Sequence, residues 1–225
     1  MKKIVVILLC ACSLGVQAQF SVLKGDQAAK VFSLAIEVKL EESNEFPSYI
    51  ELKPQSNLSE ELFFNLIRSE FELSTSWNFK LLNTSSDKLG FTHNRYRLSY
   101  SGIDVAYSSL SVHSSNGSVV SASGNLKIKE PKTTSVGIDE NNAQLKAMNF
   151  VGAREYMWDI DMPLHPTKSQ FYPSPNLAYL PNYFEGENKL TLAYVFNIYA
   201  TIPLIRELIF IDAKDGSVVF HENLI

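Results

Sequence analysis

Four histidines, His93, His113, His165 and His221, set the limits of what chemistry this chain could do. Zinc hydrolysis needs two imidazoles one helical turn apart with a glutamate beside the first, the pattern His-Glu-x-x-His. Only His221-Glu222 begins that pattern, and the residue four places after His221 is Ile225. The other three histidines are scattered and have no glutamate at that spacing. His93 and Arg95 alternate onto one face of an extended segment, where they could hold a ligand or an anion. The simpler reading is of sheet-surface residues with local hydrogen bonds. Asp159 and Asp161 flank a loop, and Asp212 and Asp215 fit turn chemistry around Asp215-Gly216, so neither pair reads as an acid–base couple. The sequence holds no Gly-rich phosphate loop and no serine nucleophile elbow. It is read as having no catalytic residue, no metal ligand and no cofactor of its own.

Both cysteines, Cys10 and Cys12, fall in the first 18 residues. There Lys2 and Lys3 precede the apolar run Ile4–Leu9, and Val16-Gln17-Ala18 forms a small-x-small cleavage site. Residues 1–18 are therefore expected to be a signal peptide and Gln19 the mature N-terminus, with a secreted or periplasmic destination. The rival reading makes Leu9-Cys10-Ala11-Cys12 a lipobox with Cys12 acylated, the one route to a membrane. Without the leader there is no thiol, and stability rests on burial alone. Removing Lys2 and Lys3 leaves 18 basic against 24 acidic side chains, a net charge of −6. A mildly acidic chain without a basic block argues against nucleic acid or an anionic membrane as partner.

The elements that would position these side chains follow from periodicity. Residues 30–40 suggest a strand in their second half. Asn57 or Ser59 can cap a helix with Glu60 and Glu61 in its first turn and Leu62, Phe63, Leu66, Ile67 and Phe71 on its apolar stripe. Residues 77–83 read as a strand and Thr84 to Asp87 as a polar turn. Tyr96, Leu98 and Tyr100 share one strand face, Ser101-Gly102 turns the chain, and Asn116-Gly117 is a strong hairpin signal because both its positions favour positive φ. Residues 127–138, with a Pro and a Gly, read as a linker. Asp139 caps a second helix with Ala143, Leu145, Ala147, Met148 and Phe150 on its apolar side. Residues 156–159 are a strand or a last helical turn, and a Pro-rich loop follows. Three strands close the chain, the last broken at Ala213–Gly216.

The ordered motifs resemble the propeptide of thermolysin-like zinc metalloproteases. His93-Asn94-Arg95-Tyr96, Gly102-Ile103-Asp104-Val105 and Asn116-Gly117-Ser118-Val119-Val120 are similar to the fungalysin/thermolysin propeptide (FTP) domain. Ala143 to Trp158, Leu192 to Phe196 and Phe210 to Ala213 with Asp215-Gly216 are similar to a PepSY domain. The details look like those of Bacteroidetes examples. The resemblance implies an α+β fold of two small domains, each a helix on an antiparallel sheet, cystatin-like or PepSY-like. Residues 19–126 would form the FTP-like domain and 139–225 the PepSY-like one. It implies structural motif residues at His93, Arg95, Tyr96, Gly102, Val105, Asn116, Gly117, Trp158, Asp212 and Gly216.

It also implies a partner, a thermolysin-like catalytic domain bound in cis or in trans, with zinc only in that domain. The chain would act as intramolecular chaperone and inhibitor, and the segment after Phe220 is expected to leave the last strand toward a protease cleft. Loop aromatics Tyr172, Tyr183 and Phe184, with His221 and Glu222, are the candidate interface. A free-standing inhibitor acting in trans is one alternative. A surface module that binds a glycan or peptide through its aromatic loops is another.

Overall fold

The structure, a computed structural model, describes residues 20–41, 46–129, 131–160, 171–181 and 189–225. The leader with Cys10 and Cys12, the segment holding Asp161 and His165, and the loop holding Tyr183 and Phe184 lie outside the described residues. Strands dominate and helices are few.

In chain order the strands are β1 (Phe20–Lys24), β2 (Ala35–Glu41), β3 (Tyr49–Leu52), β4 (Trp77–Ser86), β5 (Phe91–Tyr100), β6 (Ile103–Ser115) and β7 (Ser118–Asn125). They continue as β8 (Glu155–Tyr156), β9 (Asn176–Pro181), β10 (Leu190–Ile202), β11 (Leu204–Asp212) and β12 (Val218–Asn223). Helix α1 covers Asp26–Val31, α2 Glu60–Glu70 and α3 Glu140–Val151, with a 3-10 turn at Met157–Asp159. The sheet order is β1-β2-β3-β7-β6-β9-β10-β11-β12, with β4 and β5 branching from β6 and β8 from β10. All these pairings are antiparallel except β6 with β9, which meet in parallel at Val105 and Tyr179. Residues 131–138 lie along the later strands: Lys132 N–H donates to Leu190 O and Gly137 N–H to Ala213 O, both at 2.8 Å.

Turn residues act where φ demands them. Ser101 (φ 48°) with Gly102 (φ 84°), and Asn116 (φ 49°) with Gly117 (φ 78°), place both central residues of a two-residue hairpin in the left-handed region. These are the turns whose twist matches flanking strands. Ser59 rather than Asn57 caps α2, accepting from Leu62 N at 3.3 Å. Asp139 caps α3, accepting from Asn142 N at 2.8 Å, and Gly152 ends that helix at φ 61°.

Some expectations shift. Thr84, Ser85 and Ser86 stay in β4, paired with β5, and the turn falls on Asp87–Gly90. Asp87 decides this, because its carboxylate accepts from Leu89 N (2.8 Å) and Phe91 N (3.0 Å), a bond pattern serine makes more weakly. Phe63 and Ile67 of α2 are buried, but Leu62 is 53% exposed; in α3, Leu145 and Phe150 are 56% and 45% exposed while Ala143 and Ala147 are buried. Close approach of α3 to the sheet is met by its small residues, so the larger ones turn outward. The segment after Phe220 does not leave the strand: β12 runs to Asn223, and Leu224 N–H still donates to Arg206 O at 2.8 Å.

Candidate functional site

Three constellations stand out on this frame, and the first is a carboxylate held under α2. Glu60 opens that helix, and the β5 side chains Asn94 and Tyr96 alternate onto the face beneath it. Asn94 Nδ2 donates to both Glu60 oxygens (2.8 and 2.9 Å), and the Tyr96 hydroxyl makes a very short bond to Oε2. Ser114 Oγ adds a longer contact at 3.4 Å. Burial, then the bond to Glu60, push the Tyr96 phenol well above the usual tyrosine range. The Glu60 oxygens accept from donors of the protein itself, so the arrangement fixes the helix to the sheet. The tyrosine of the His-x-Arg-Tyr motif is one half of that tie.

The second lies on the opposite face of the same strands. His93 and His113 are register partners across β5 and β6, and their Nδ1 atoms approach to 2.7 Å. His93 Nε2 lies 3.3 Å from Asp87 Oδ2, and His113 Nε2 lies 3.4 Å from Ser123 Oγ. The two imidazoles, scattered in sequence, are thus joined. A hairpin pairing counted straight from Ser101-Gly102 would set His93 against another residue. Instead Ser99 faces Asp104 while Arg97 faces Ser109, so β6 carries three extra residues between these pairs. No sequence signal marks that bulge. Although the run Asp87–His93–His113–Ser123 looks like a relay, it has no oxyanion site. Ser123 sits in β7 between Tyr49 of β3 and Ser111 of β6, where the ladder takes up strand amides. Burial, then the neighbouring His93 ring, hold the His113 imidazole below its ordinary value.

The bulge also aims Tyr107, at φ 57°, away from its own hairpin and toward β11 and β12. Its ring lies 6.0 Å from Phe210 and 5.8 Å from Phe220, and its hydroxyl donates to Glu222 Oε2 at 2.8 Å. His221 points to the other face of β12, bonding Glu207 Oε2 at 3.0 Å and packing 4.9 Å from the Phe150 ring of α3. Glu222 and His221 are therefore tied into the sheet.

The third constellation is a groove of about 300 Å³, lined in part by Phe171, Tyr172, Val195, Tyr199, Arg206 and Leu208. The Arg206 guanidinium lies 5.3 Å over the Tyr199 ring and its Nε donates to Asn197 Oδ1 at 3.1 Å. Tyr172, 53% exposed, stands edge-on to Trp158 (5.6 Å), which stacks on Tyr156 (4.5 Å, 6°). This is an aromatic surface able to hold an extended or ring-bearing ligand.

The other expected motif residues lie apart from these constellations. Arg95 is exposed on β5, and Val105 is buried at the parallel bridge to Tyr179. Asp212 Oδ1 accepts from Lys214 N at 2.7 Å, and Gly216 (φ 80°) closes that turn where a Cβ would strike Lys146. The named residues do not converge into one site. Among the described residues, no group of three His, Cys, Asp or Glu side chains could hold a metal ion. Nor is any described helix long and apolar enough to cross a membrane.

Residues 78–126 match the family model of the Fungalysin/Thermolysin Propeptide Motif. That span runs from the second residue of β4 to just past β7 and contains the His-x-Arg-Tyr strand, both type I′ turns and the histidine pair. No curated protein matches the chain. Among solved structures, the C-terminal domain of YpeB from Bacillus megaterium is similar to it with a TM-score of 0.37 and 14% identity, over 94% of this chain and 92% of that one.

Proposed function

We propose that this chain is the propeptide region of a secreted thermolysin-like zinc metalloprotease, acting as intramolecular chaperone and inhibitor of a catalytic domain. The propeptide-motif match over residues 78–126 carries this reading. The FTP-like module takes in residues 19–126, residues 127–138 link it onward, and 139–225 form the PepSY-like module, each a helix on an antiparallel sheet. Residues 1–18 direct export. The zinc belongs to the catalytic domain, on the same precursor or on a separate polypeptide.

The chemistry is that of binding. A large protease exposes apolar surface as it folds and falls into traps. A rigid partner that recognises the native arrangement stabilises it by mass action. Tethering in one precursor raises the effective concentration to about the millimolar range. The inhibiting surface includes Tyr172 and its neighbours on the groove, with Tyr183, Phe184, His221 and Glu222 as further candidate contacts. The test is a titration of a mature thermolysin-like protease with the purified chain. Tight, saturable inhibition weakened by Tyr172→Ala supports the reading, and absence of inhibition of every related protease tested removes it.

The aromatic groove favours one second reading, a surface module for a glycan or peptide. It predicts binding to a glycan array or peptide library without any protease, lost in Tyr172→Ala and Tyr199→Ala.

A further inference from the structure

We propose that the His93–His113 pair is an acid-operated clasp, holding the β4–β5 hairpin tip to β6 while the pair carries at most one added proton and releasing it when both imidazoles are charged. The inference does not depend on a protease being the partner.

The proton positions follow from the partners. Asp87 accepts from His93 Nε2–H, which leaves His93 Nδ1 as an acceptor. His113 Nδ1–H then donates to it across 2.7 Å, and His113 Nε2 accepts from the Ser123 hydroxyl. Every polar atom is satisfied with both rings neutral. A first added proton goes to His113 Nε2, which turns from acceptor to donor toward Ser123; the proton between the two Nδ1 atoms can then pass to His93, which sets the charge beside Asp87, and the Nδ1–Nδ1 bond survives. A second has only the remaining Nδ1 lone pair between the rings. It places two N–H groups head to head and two cations on adjacent rings, so the rings must part.

The surroundings leave this repulsion uncompensated. Facing the pair are Asp87 from the β4–β5 turn, Ser85 of β4 opposite His93, and Arg95 two places along β5. From β7 come Ser121 and Ser123, and beyond them on β3 Glu51 and Tyr49. Asp87 supports one cation. Arg95 opposes a second, and Glu51 is separated from His113 by the width of β7. Glu60 is on the other face of β5, engaged by Asn94 and Tyr96.

The clasp sits where opening is cheapest. The last residues of β4 are exposed, Leu89 at the tip is 83% exposed, and β4 pairs only with β5. Acid would therefore loosen residues 91–93, and the turn they carry, from β6 while the α2-covered half of β5 stays in place. The coupled pair takes its protons in two steps, the second opposed by the charge of the first.

The experiment is amide hydrogen exchange on the full chain between pH 7.5 and 5, expressed as protection factors, with ¹⁵N imidazole NMR over the same range. Carboxyl groups titrate near pH 4, so imidazoles dominate the charge change in this window. Protection at residues 91–95 and 111–115 should fall as pH drops below about 6.5, by at most about tenfold per pH unit for one proton. Protection at Leu98 and in β10 should hold. His113→Gln and His93→Gln should each flatten the profile. Flat wild-type protection, or a variant that keeps the wild-type profile, overturns the inference. Should both variants fail to fold, the wild-type imidazole titration decides. Two separated steps support the clasp, and two superimposed ordinary histidine curves refute it.

Discussion

The Tyr107 hydroxyl donates to the Glu222 carboxylate at 2.8 Å, joining β6 to β12 across 115 positions of sequence. The bulge that turns Tyr107 outward also sets the histidine register, so one irregularity organises both hairpin tip and junction. Each residue is on a different sheet segment, and a double-mutant cycle isolates their contact. Tyr107→Phe with Glu222→Gln should show a coupling of about 0.5–1.5 kcal/mol in urea unfolding.

Glu60 ties α2 to the sheet through Asn94 and Tyr96. Glu60→Ala would leave a buried phenol and amide without their acceptor and should cost about 2–3 kcal/mol. Glu61→Ala, on the next residue, should stay within about 0.5 kcal/mol. In an absorbance titration one tyrosine of the intact chain should ionise well after the others, and in Glu60→Ala this late step should move down.

Gly124 on β7 has no room for a side chain: an added Cβ would meet Ser109 O at 2.2 Å and Leu110 Cα at 2.8 Å, both backbone atoms. Gly124→Ala should destabilise by more than about 2 kcal/mol, since overpacking that moves backbone costs on the order of 1–3 kcal/mol or more. Gly102→Ala meets open space but sits at φ 84°, so its cost should be about 1–2 kcal/mol. Thermal unfolding of both variants orders the two effects.

What the sequence made legible was local chemistry. Asn116-Gly117, Ser101-Gly102, the Ser59 and Asp139 caps and the closing strands all rest on neighbours within a few residues. What it hid was register. The three-residue bulge in β6 brings His93 to His113, and nothing between Val105 and Ser108 announces it. The buried face of α3 is likewise narrower than its apolar pattern suggests, because close helix–sheet approach favours Ala143 and Ala147 and leaves Leu145 and Phe150 exposed. Helix α1, only Asp26–Val31, is too short for a periodic signal.

Asp87 gives a pH prediction distinct from that of the histidines. The backbone N–H of Phe91, then that of Leu89 and the His93 ring, hold its carboxyl below the ordinary range. A depressed carboxyl contributes stability that is present above its unfolded value, near 4, and lost as pH falls through its lower folded value. The Leu89 and Phe91 amide resonances should therefore show a further transition below about pH 4, separate from the histidine one, and Asp87→Ala should abolish it while leaving the one at higher pH partly intact.

The proposed propeptide role is to hold the native form of a thermolysin-like catalytic domain. It is tested most directly by refolding such a domain, denatured and stripped of its own propeptide, with and without an equimolar amount of this chain. The expected result is recovery of latent enzyme that becomes active once the chain is digested, with little recovery in its absence. Equal yields with and without the chain, across several related catalytic domains, would contradict it.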